Sequence, residues 1–514
     1  MIKPMTTQLR FPTRVMDTVL DKETEYDGNL PEYCPDVIRL IRVDCTPYVD
    51  GCECTSDKIH INGRIVYDVL YETDRRNKLR YCGFTQEFRH SADLPMHALE
   101  NLHASCRAAC SKITCKMLSP RRLVLRARLE LHTTAHGEHV VSMLSTQPVE
   151  GMFFRKKQIR LDTVPESVAN ELRFDETLPL LQGEKNIGEV IFGCVALQPP
   201  QVTVTEGCAI AKTNAVVKVL YESEDAEGGY CMTAKNVPLS VSIDDPAIRD
   251  GKHCVVSLAI NAHSVLPELD QYGESRLLKA TFSVGALATL VGSVETEVAD
   301  DLFSVAYEDT VARTEMTVPS LYDIADRSFT VDLKVPAEEP PFSALYDTSV
   351  RAGRIRATPA DGGIELSGTM TVSVLGDSRD GIMHRDYVEE FVQFVPVDLP
   401  ESLSGVVVDV VPFDVLPTLH ADGSISARVI NSAKIYLYTE QQVAFLSDII
   451  KQAELDSEDA YTVAYFFPTR ADDLWSVAKR YRVDPAALRA SNPKAFDDNG
   501  RLAGNVKTVV VVKG

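Results

Sequence analysis

Few residues in this chain have both the type and the spacing to do chemistry. His132, His136 and His139 form H-x3-H-x2-H with Glu138 beside them, and on a helix that spacing would present two imidazoles to a metal ion. The segment leaves a strand and holds Gly137, which favours a wet turn. Gly376-Asp377-Ser378 has the outline of a hydrolase serine, but it falls at a hairpin turn, where turn chemistry accounts for all three residues. The 12 cysteines are unevenly placed: Cys34, Cys45, Cys52, Cys54, Cys82, Cys106, Cys110 and Cys115 lie in the first quarter, and none follows Cys254. Neither Cys52-x-Cys54 nor Cys106-x3-Cys110-x4-Cys115 has the C-x2-C pairing of a zinc site, so reduced, partly buried thiols are expected. No G-x-x-x-x-G-K-[ST], H-E-x-x-H or G-x-G-x-x-G string occurs. The expectation is a chain with no catalytic residue, no cofactor and no metal.

Composition narrows the partners. A chain of 514 residues exceeds the roughly 250–300 at which single cores stop growing, so several domains are expected. Its 45% hydrophobic content is that of a globular protein. No apolar run approaches the roughly 18–20 residues that span a bilayer, so no transmembrane segment is expected. The stretch Met1–Arg14 lacks the apolar core and cleavage site of a signal peptide, which predicts residence where the chain is made and argues against a secreted disulfide framework. A net charge of −21 disfavours nucleic acid and an anionic bilayer as partners and suits solubility.

The elements that must position any site come from an internal repeat. Gly63–Glu72 (GRIVYDVLYE) is echoed by Asn214–Glu222 (NAVVKVLYE) and, more weakly, by Gly368–Asp377 (GTMTVSVLGD). Each copy alternates apolar and polar like a half-buried strand and is followed by a polar turn, at Thr73–Lys78, Ser223–Gly229 and Ser378–Gly381. Each is entered past a proline, at Leu30-Pro31, Leu178-Pro179 and Val335-Pro336, and closes on a second strand, Arg122–Leu131, Arg276–Val284 or Ser424–Ile430. Asp36–Ile38 and Leu40-Ile41 could form one or two helical turns. The pattern predicts a mainly β protein with three tandem, sandwich-like antiparallel repeats at about 26–140, 172–290 and 330–440. An N-terminal segment (1–25), connectors (141–171 and 291–329) and a linker (441–460) fill the rest. The connectors hold the strand-like stretches Met152–Thr163 and Leu302–Val318, and Gln452–Asp459 is acidic. These three stretches are expected to be the first cut by a protease.

Residues 461–514 form a separate βααβ module. Tyr461–Phe467 reads as a strand stopped by Pro468. A helix follows, with Asp472 expected as N-cap and Asp473 in the first turn. Leu474, Val477, Ala478 and Tyr481 make its apolar face, and Trp475, about 100° away, sits on the shoulder of that face. Asp484-Pro485 opens a second helix to about Ser491, Asn492-Pro493 closes it, and the valine-rich Val506–Val512 has strand length.

This module resembles LysM domains in D-D-L-W-S-V-A-K-R-Y, V-D-P-A-A-L-R-A-S-N-P and L-A-G-N-V-K-T-V-V-V. Where LysM modules carry Gly-Asp-Thr in the loop that helps cradle N-acetylglucosamine-containing glycans, this chain has Ala471, Asp472 and Asp473. Glycan binding is therefore expected to be weak or absent. With Val-Leu-Tyr at Val69–Tyr71 and Val219–Tyr221, and Val-Leu-Gly in the third copy, the whole chain is similar to the SPOCS/LysM proteins of spore-forming Firmicutes, the SipL-like family. The resemblance implies a non-catalytic scaffold in spore-coat assembly, in the mother cell at the forespore surface. Its LysM domain would bind the coat morphogenetic ATPase, and other coat proteins would be partners of the repeats. The partner contact is expected on Asp472, Asp473 and Trp475 with Ser491 and Asn492. The competing expectation is a cell-wall glycan-binding protein (peptidoglycan or chitin), which would require export.

Overall fold

Alternating apolar and polar residues give all three copies the same six-strand plan. A computed structural model describes residues 5–73, 78–95, 99–224, 229–249, 252–455, 463–469, 472–503, 506 and 508–512. In the first repeat β1 (Thr6–Asn29) leads into a meander, β2 (Val37–Cys54), β3 (Lys58–Thr73) and β4 (Leu79–Asp93), then a hairpin, β5 (Glu100–Ser119) and β6 (Arg122–Leu144). β6 pairs with β1, so the two sheets have the orders β2-β3-β4 and β1-β6-β5. The second repeat splits its entering strand into β7 (Met152–Asp162) and β8 (Glu166–Pro179). The next strand is split too, into β9 (Ile187–Leu197) and β10 (Gln201–Thr205), both paired with β11 (Cys208–Ser223); β12 (Tyr230–Asp244), β13 (His253–Leu269) and β14 (Ser275–Val291) follow, and β15 (Ser293–Ser304) is the exit. The third uses β16 (Tyr307–Val335), β17 (Phe342–Ala360), β18 (Gly363–Ser378), β19 (Gly381–Pro396), β20 (Leu403–Leu419) and β21 (Ile425–Glu454). Among the described residues every ladder in these repeats is antiparallel. The hairpins at the first two polar turns close through Thr73 N–H to Lys78 O (2.9 Å) and Ser223 N–H to Gly229 O (3.0 Å); residues 74–77 and 225–228 lie outside the described residues.

Each repeat is a sandwich with its own core. Ile59, Ile61, Ile65, Tyr67, Val69 and Tyr71 of β3 meet Leu123, Leu125, Leu129 and Leu131 of β6, and β11 with β14 and β18 with β21 do the same. This explains two letters of the Val-Leu-Tyr motif, since Val69 and Tyr71 face this core. The Tyr71 hydroxyl donates to Pro35 O and Tyr221 to Lys185 O, tying each strand to the segment that enters its sheet. In the third copy Gly376 replaces the tyrosine. A Cβ there would lie 2.4 Å from Ala344 O and 2.8 Å from the Phe342 ring, so a ring from β17 occupies the space instead.

The middle letter faces the other way. Leu70, Leu220 and Leu375 point out of their sandwiches, where alternation alone would put solvent, yet they are only 6%, 1% and 3% exposed. They converge in one cluster with Leu79 and Ile191 because the three repeats close into a ring around them. Opposite these leucines stand Arg42, Phe192 and Asp347, equivalent positions with complementary residues. Arg42 bonds Asp347 (3.0 Å) and Asp44 (2.5 Å) and lies over the Phe192 ring at 6.0 Å, while Lys218 reaches Asp347 at 3.2 Å. Tyr230 accepts from Leu79 N–H (2.8 Å), Lys78 pairs with Glu222 (2.7 Å), and Arg39 donates to Ile382 O (3.1 Å). Every repeat is thus bonded to both others. Burial pushes the Asp347 carboxyl up, but Lys218 and Arg42 together hold it below the usual carboxylate range. A cavity of about 10 Å³ at this point has room for no more than one water.

The connectors are the main departure from expectation. β7 pairs with β15, and β1 with β6 and β16 with β21 run on as ribbons past their sandwiches. Leu9 and Phe11 of β1, Met143 of β6, Ile159 and Leu161 of β7, Val298 of β15, Val318 of β16, and Val443 and Phe445 of β21 form one buried cluster. Three ribbons thus make a stem below the ring. Met152–Thr163 and Leu302–Val318 lie mostly within these ladders rather than in exposed links, and segment 1–25 is largely β1. The linker 441–460 is strand as far as Glu454, and residues 456–460 lie outside the described residues. The boundaries drawn at 25/26, 140/141, 171/172, 290/291, 329/330 and 440/441 all fall inside strands. The helical turns expected at 36–41 are not formed. That stretch opens β2, whose bulges between Val37/Arg39 and Leu40/Arg42 break the alternation and mimic a helical spacing.

Candidate functional site

The terminal segment adds β22 (Val463–Phe466), α1 (Leu474–Tyr481), α2 (Pro485–Ser491) and β23 (Val509–Val512), with β22 and β23 antiparallel. The first helix is capped one residue later than expected. Asp473 is the N-cap, accepting from Ser476 N–H (2.7 Å), while the Ser476 hydroxyl accepts from the Asp473 N–H (2.8 Å), a reciprocal capping box. Asp472 lies outside the helix and accepts from Thr469 N–H (2.7 Å) and Oγ1 (2.8 Å), bonds that hold its carboxyl below the usual value. Arg482 ends the helix in a left-handed conformation (φ 55°). Asp484 caps α2 through Ala486 N–H (2.7 Å), with Pro485 at its first position. Val477, Ala478, Leu488, Val509 and Val511 are buried in the module's core, with Leu474 and Tyr481 packed against them. The second strand begins at Val509 rather than Val506.

The sequence-predicted residues serve different ends. Asn492 is buried: its amide donates to Leu488 O (2.9 Å) and Val510 O (2.6 Å) and accepts from Val510 N–H (2.8 Å), fastening α2 to β23. Ser491 donates to Ala487 O within its own helix and is exposed. Asp472 and Asp473 organise the start of α1. Trp475 makes an interface, but with the chain itself. Its Nε1–H donates to Asp301 Oδ2 (2.9 Å), and its ring meets Phe303 edge-on with centroids 5.0 Å apart.

Around that contact the module docks on the tip of the β7/β15 ribbon. Lys479 Nζ donates to Asp301 Oδ1 (2.6 Å), and the Arg482 guanidinium donates to the carbonyls of Ser304 (3.1 Å) and Tyr307 (3.3 Å). Phe303 is wholly buried in the module's core, with Phe153 packed beside it at 5.3 Å. Burial pushes the Asp301 carboxyl up, but the bonds from Lys479 and Trp475 outweigh it and hold it below its ordinary value. Sequence reasoning missed Asp301, Phe303, Phe153, Lys479 and Arg482. The apolar pairs Phe153-Phe154 and Leu302-Phe303 in the connectors were their only signal.

The face of the module away from α1 is open. Tyr465 and Phe467 are 67% and 72% exposed, and Val463 and Val512, paired across the two strands, are exposed beside them. Ala471 lies outside the described residues. The histidine set is not in a turn. His132, His136 and His139 belong to β6, where alternation puts His132 and His136 on one face and His139 on the other. Gly137 lets Leu99 and Leu102 pack over the strand, since a Cβ would come within 2.9 Å of Leu102. Ser378 ends β18 and donates to Gly381 O across the hairpin (2.8 Å). Among the described residues no group of three or more His, Cys, Asp or Glu is gathered to hold a metal ion. Among them, too, no helix is long and apolar enough to cross a membrane.

A family model described as the SipL SPOCS domain matches residues 36–118. The match supports kinship with the SipL-like, sporulation-related family and covers β2 to β5, without the β1 and β6 that complete the second sheet. No curated protein matches the chain, and no solved structure does.

Proposed function

We propose that this chain is a non-catalytic scaffold of spore-envelope assembly, acting in the mother cell at the forespore surface. In this reading the ring and stem hold the terminal module, a LysM domain, so that it engages the coat morphogenetic ATPase, and the repeats present further surfaces to other coat proteins. The observation that carries it is the orientation of the module. Its Trp475 face is bonded to the chain's own ribbon, which leaves an apolar and aromatic face, Val463, Tyr465, Phe467 and Val512, turned outward. Exposed aromatics on a rigid support are what a protein interface uses as anchors. The SPOCS-domain match supplies the sporulation setting.

The test compares the full chain with Tyr465→Ser/Phe467→Ser in a binding titration against the purified ATPase. The reading expects micromolar or tighter binding by the full chain and a loss of about thirtyfold or more in the variant, equivalent to about 2 kcal/mol. Absence of binding to the ATPase, together with calorimetric binding of an N-acetylglucosamine oligomer, would replace it with the cell-wall reading.

A further inference from the structure

One strand has an apolar wet face in the third repeat alone. Along β19 alternation puts Tyr387, Phe391 and Val395 into the core and leaves Val388, Glu390, Val392 and Phe394 on the other side. There Val388, Val392 and Phe394 are 66%, 67% and 45% exposed. The ladders fix their counterparts as Thr85, Arg89 and Ser91 on β4, and Asn236, Ser240 and Ser242 on β12. Two repeats keep these positions polar, so the fold itself does not call for apolar residues there. We propose that this stripe is a docking surface for an extended segment of another protein, one in which apolar side chains alternate with lysine or arginine. The proposal rests on the reading of the repeats as surfaces for other proteins, and not on what the terminal module binds.

The relief of the surface suits an extended chain. Beside the stripe, β18 presents Thr371 opposite Val388, Thr369 opposite Glu390 and Ser367 opposite Val392. These small residues make a low shelf along a taller apolar edge. Phe394 closes one end of it, because its ring lies over Gly363, where a Cβ would come within 2.8 Å of the ring. A segment laid along the shelf shares the two-residue repeat of β19, so every second side chain would meet a valine or the ring.

Charge selects the occupant. Glu390 stands between the two valines and Glu365 stands opposite Phe394; both are exposed, and among the described residues neither has an ion-pair partner. Arg356, opposite Ser367 on β17, lies two strands from the stripe, and Arg327 is committed to the Pro396 carbonyl at 3.0 Å. Covering the valines would take both carboxylates out of water, which is costly unless the occupant brings cations to them. A second copy of this chain does not answer that need. Stripe against stripe would bring the same carboxylates together, on chains that each carry a net charge of −21.

The experiment titrates the full chain with a fluorescent peptide of alternating lysine and valine, long enough to span Val388–Phe394 and carrying a benzophenone, and then maps the photo-crosslinks. Crosslinks are expected on β18 and β19 at about tenfold or more over the matching strands β3, β4, β11 and β12. Peptides alternating glutamate with valine, or lysine with serine, should bind about tenfold or more weakly. Val388→Thr/Val392→Arg/Phe394→Ser gives the third repeat the first repeat's own residues, and should lose the lysine-valine peptide by a similar factor while keeping its native circular dichroism. If that variant does not fold, Val392→Ser, the second repeat's residue, asks the same question alone. Binding of the ATPase should be unmoved by either variant, so this reading and that of the module can fail separately. No binding of the lysine-valine peptide, equal crosslinking of all three repeats, or undiminished binding by the folded variant would overturn the proposal. So would a full chain that sediments as a dimer only while the stripe is intact, which would make the occupant a second copy.

Discussion

Two of the interfaces in this molecule, the ring axis and the stem tip, are built on opposite principles. At the ring axis the same position of each repeat is used three times: Leu70, Leu220 and Leu375 meet as near equals, while Arg42, Phe192 and Asp347 fill equivalent places with unlike residues. At the stem tip the module sits on one ribbon through a contact found once, Trp475 and Lys479 on Asp301 and Phe303. Like residues at the axis supply apolar burial that any order of repeats would provide. Unlike residues there specify one order, because three arginines or three aspartates at the same place would repel one another. The tip needs no such device. Its contacts are partly wet and few, as suits a joint that holds one small domain.

The comparison can be broken first at the axis. Asp347→Ala leaves Arg42 and Lys218 without their shared carboxylate in a buried site. It should cost about 3–5 kcal/mol, read as a large fall in the urea midpoint of the whole chain. An unchanged midpoint would mean that the charges do not hold the ring. Trp475→Ala comes next, at about 2 kcal/mol, and its effect should be local. Amide exchange should rise in β15 and α1 while the ring's unfolding midpoint stays put. A parallel fall of the ring midpoint would show that the two interfaces are not separable.

Acid offers a smaller and graded effect. Asp301 and Asp347 are both held below the ordinary aspartate value of 3.8. Each therefore contributes stability that is fully present above that value and is lost as pH falls through the depressed one. The module should undock on acidification below about pH 4, followed by amide exchange in β15. Asp301→Asn should flatten that dependence without altering the ring's. The smallest effect belongs to the exposed arginines along β1 and β6. Arg128→Ala removes an exposed pair with Asp21 and should leave the thermal midpoint unmoved.

The sandwiches were legible because alternation is a local signal. Ile65, Tyr67, Val69 and Tyr71 announce a half-buried strand in any context, and Asp484-Pro485 announces a helix start. The axis was not legible, since Leu70, Leu220 and Leu375 read as wet-face residues until two other sheets cover them. The ribbons were missed for a different reason. β1 and β16 carry charged residues over much of their length, and their partners lie roughly 90–150 residues away in sequence. A bulge hid the start of β2. At the module, spacing puts Trp475 at the edge of the helix face, but it cannot say that what the side chain meets is Asp301 and Phe303 of its own chain. Asn492 read as a loop residue because the bonds of its side-chain amide to the Val510 backbone of β23 become visible only once that strand is in place.

The central claim is that the three repeats and their ribbons are one body, and limited proteolysis of the full chain tests it most directly. If the claim holds, Met152–Thr163 and Leu302–Val318 resist cleavage, and a single core spanning all three repeats survives. Early cuts in those two stretches, releasing separate repeats, would contradict it.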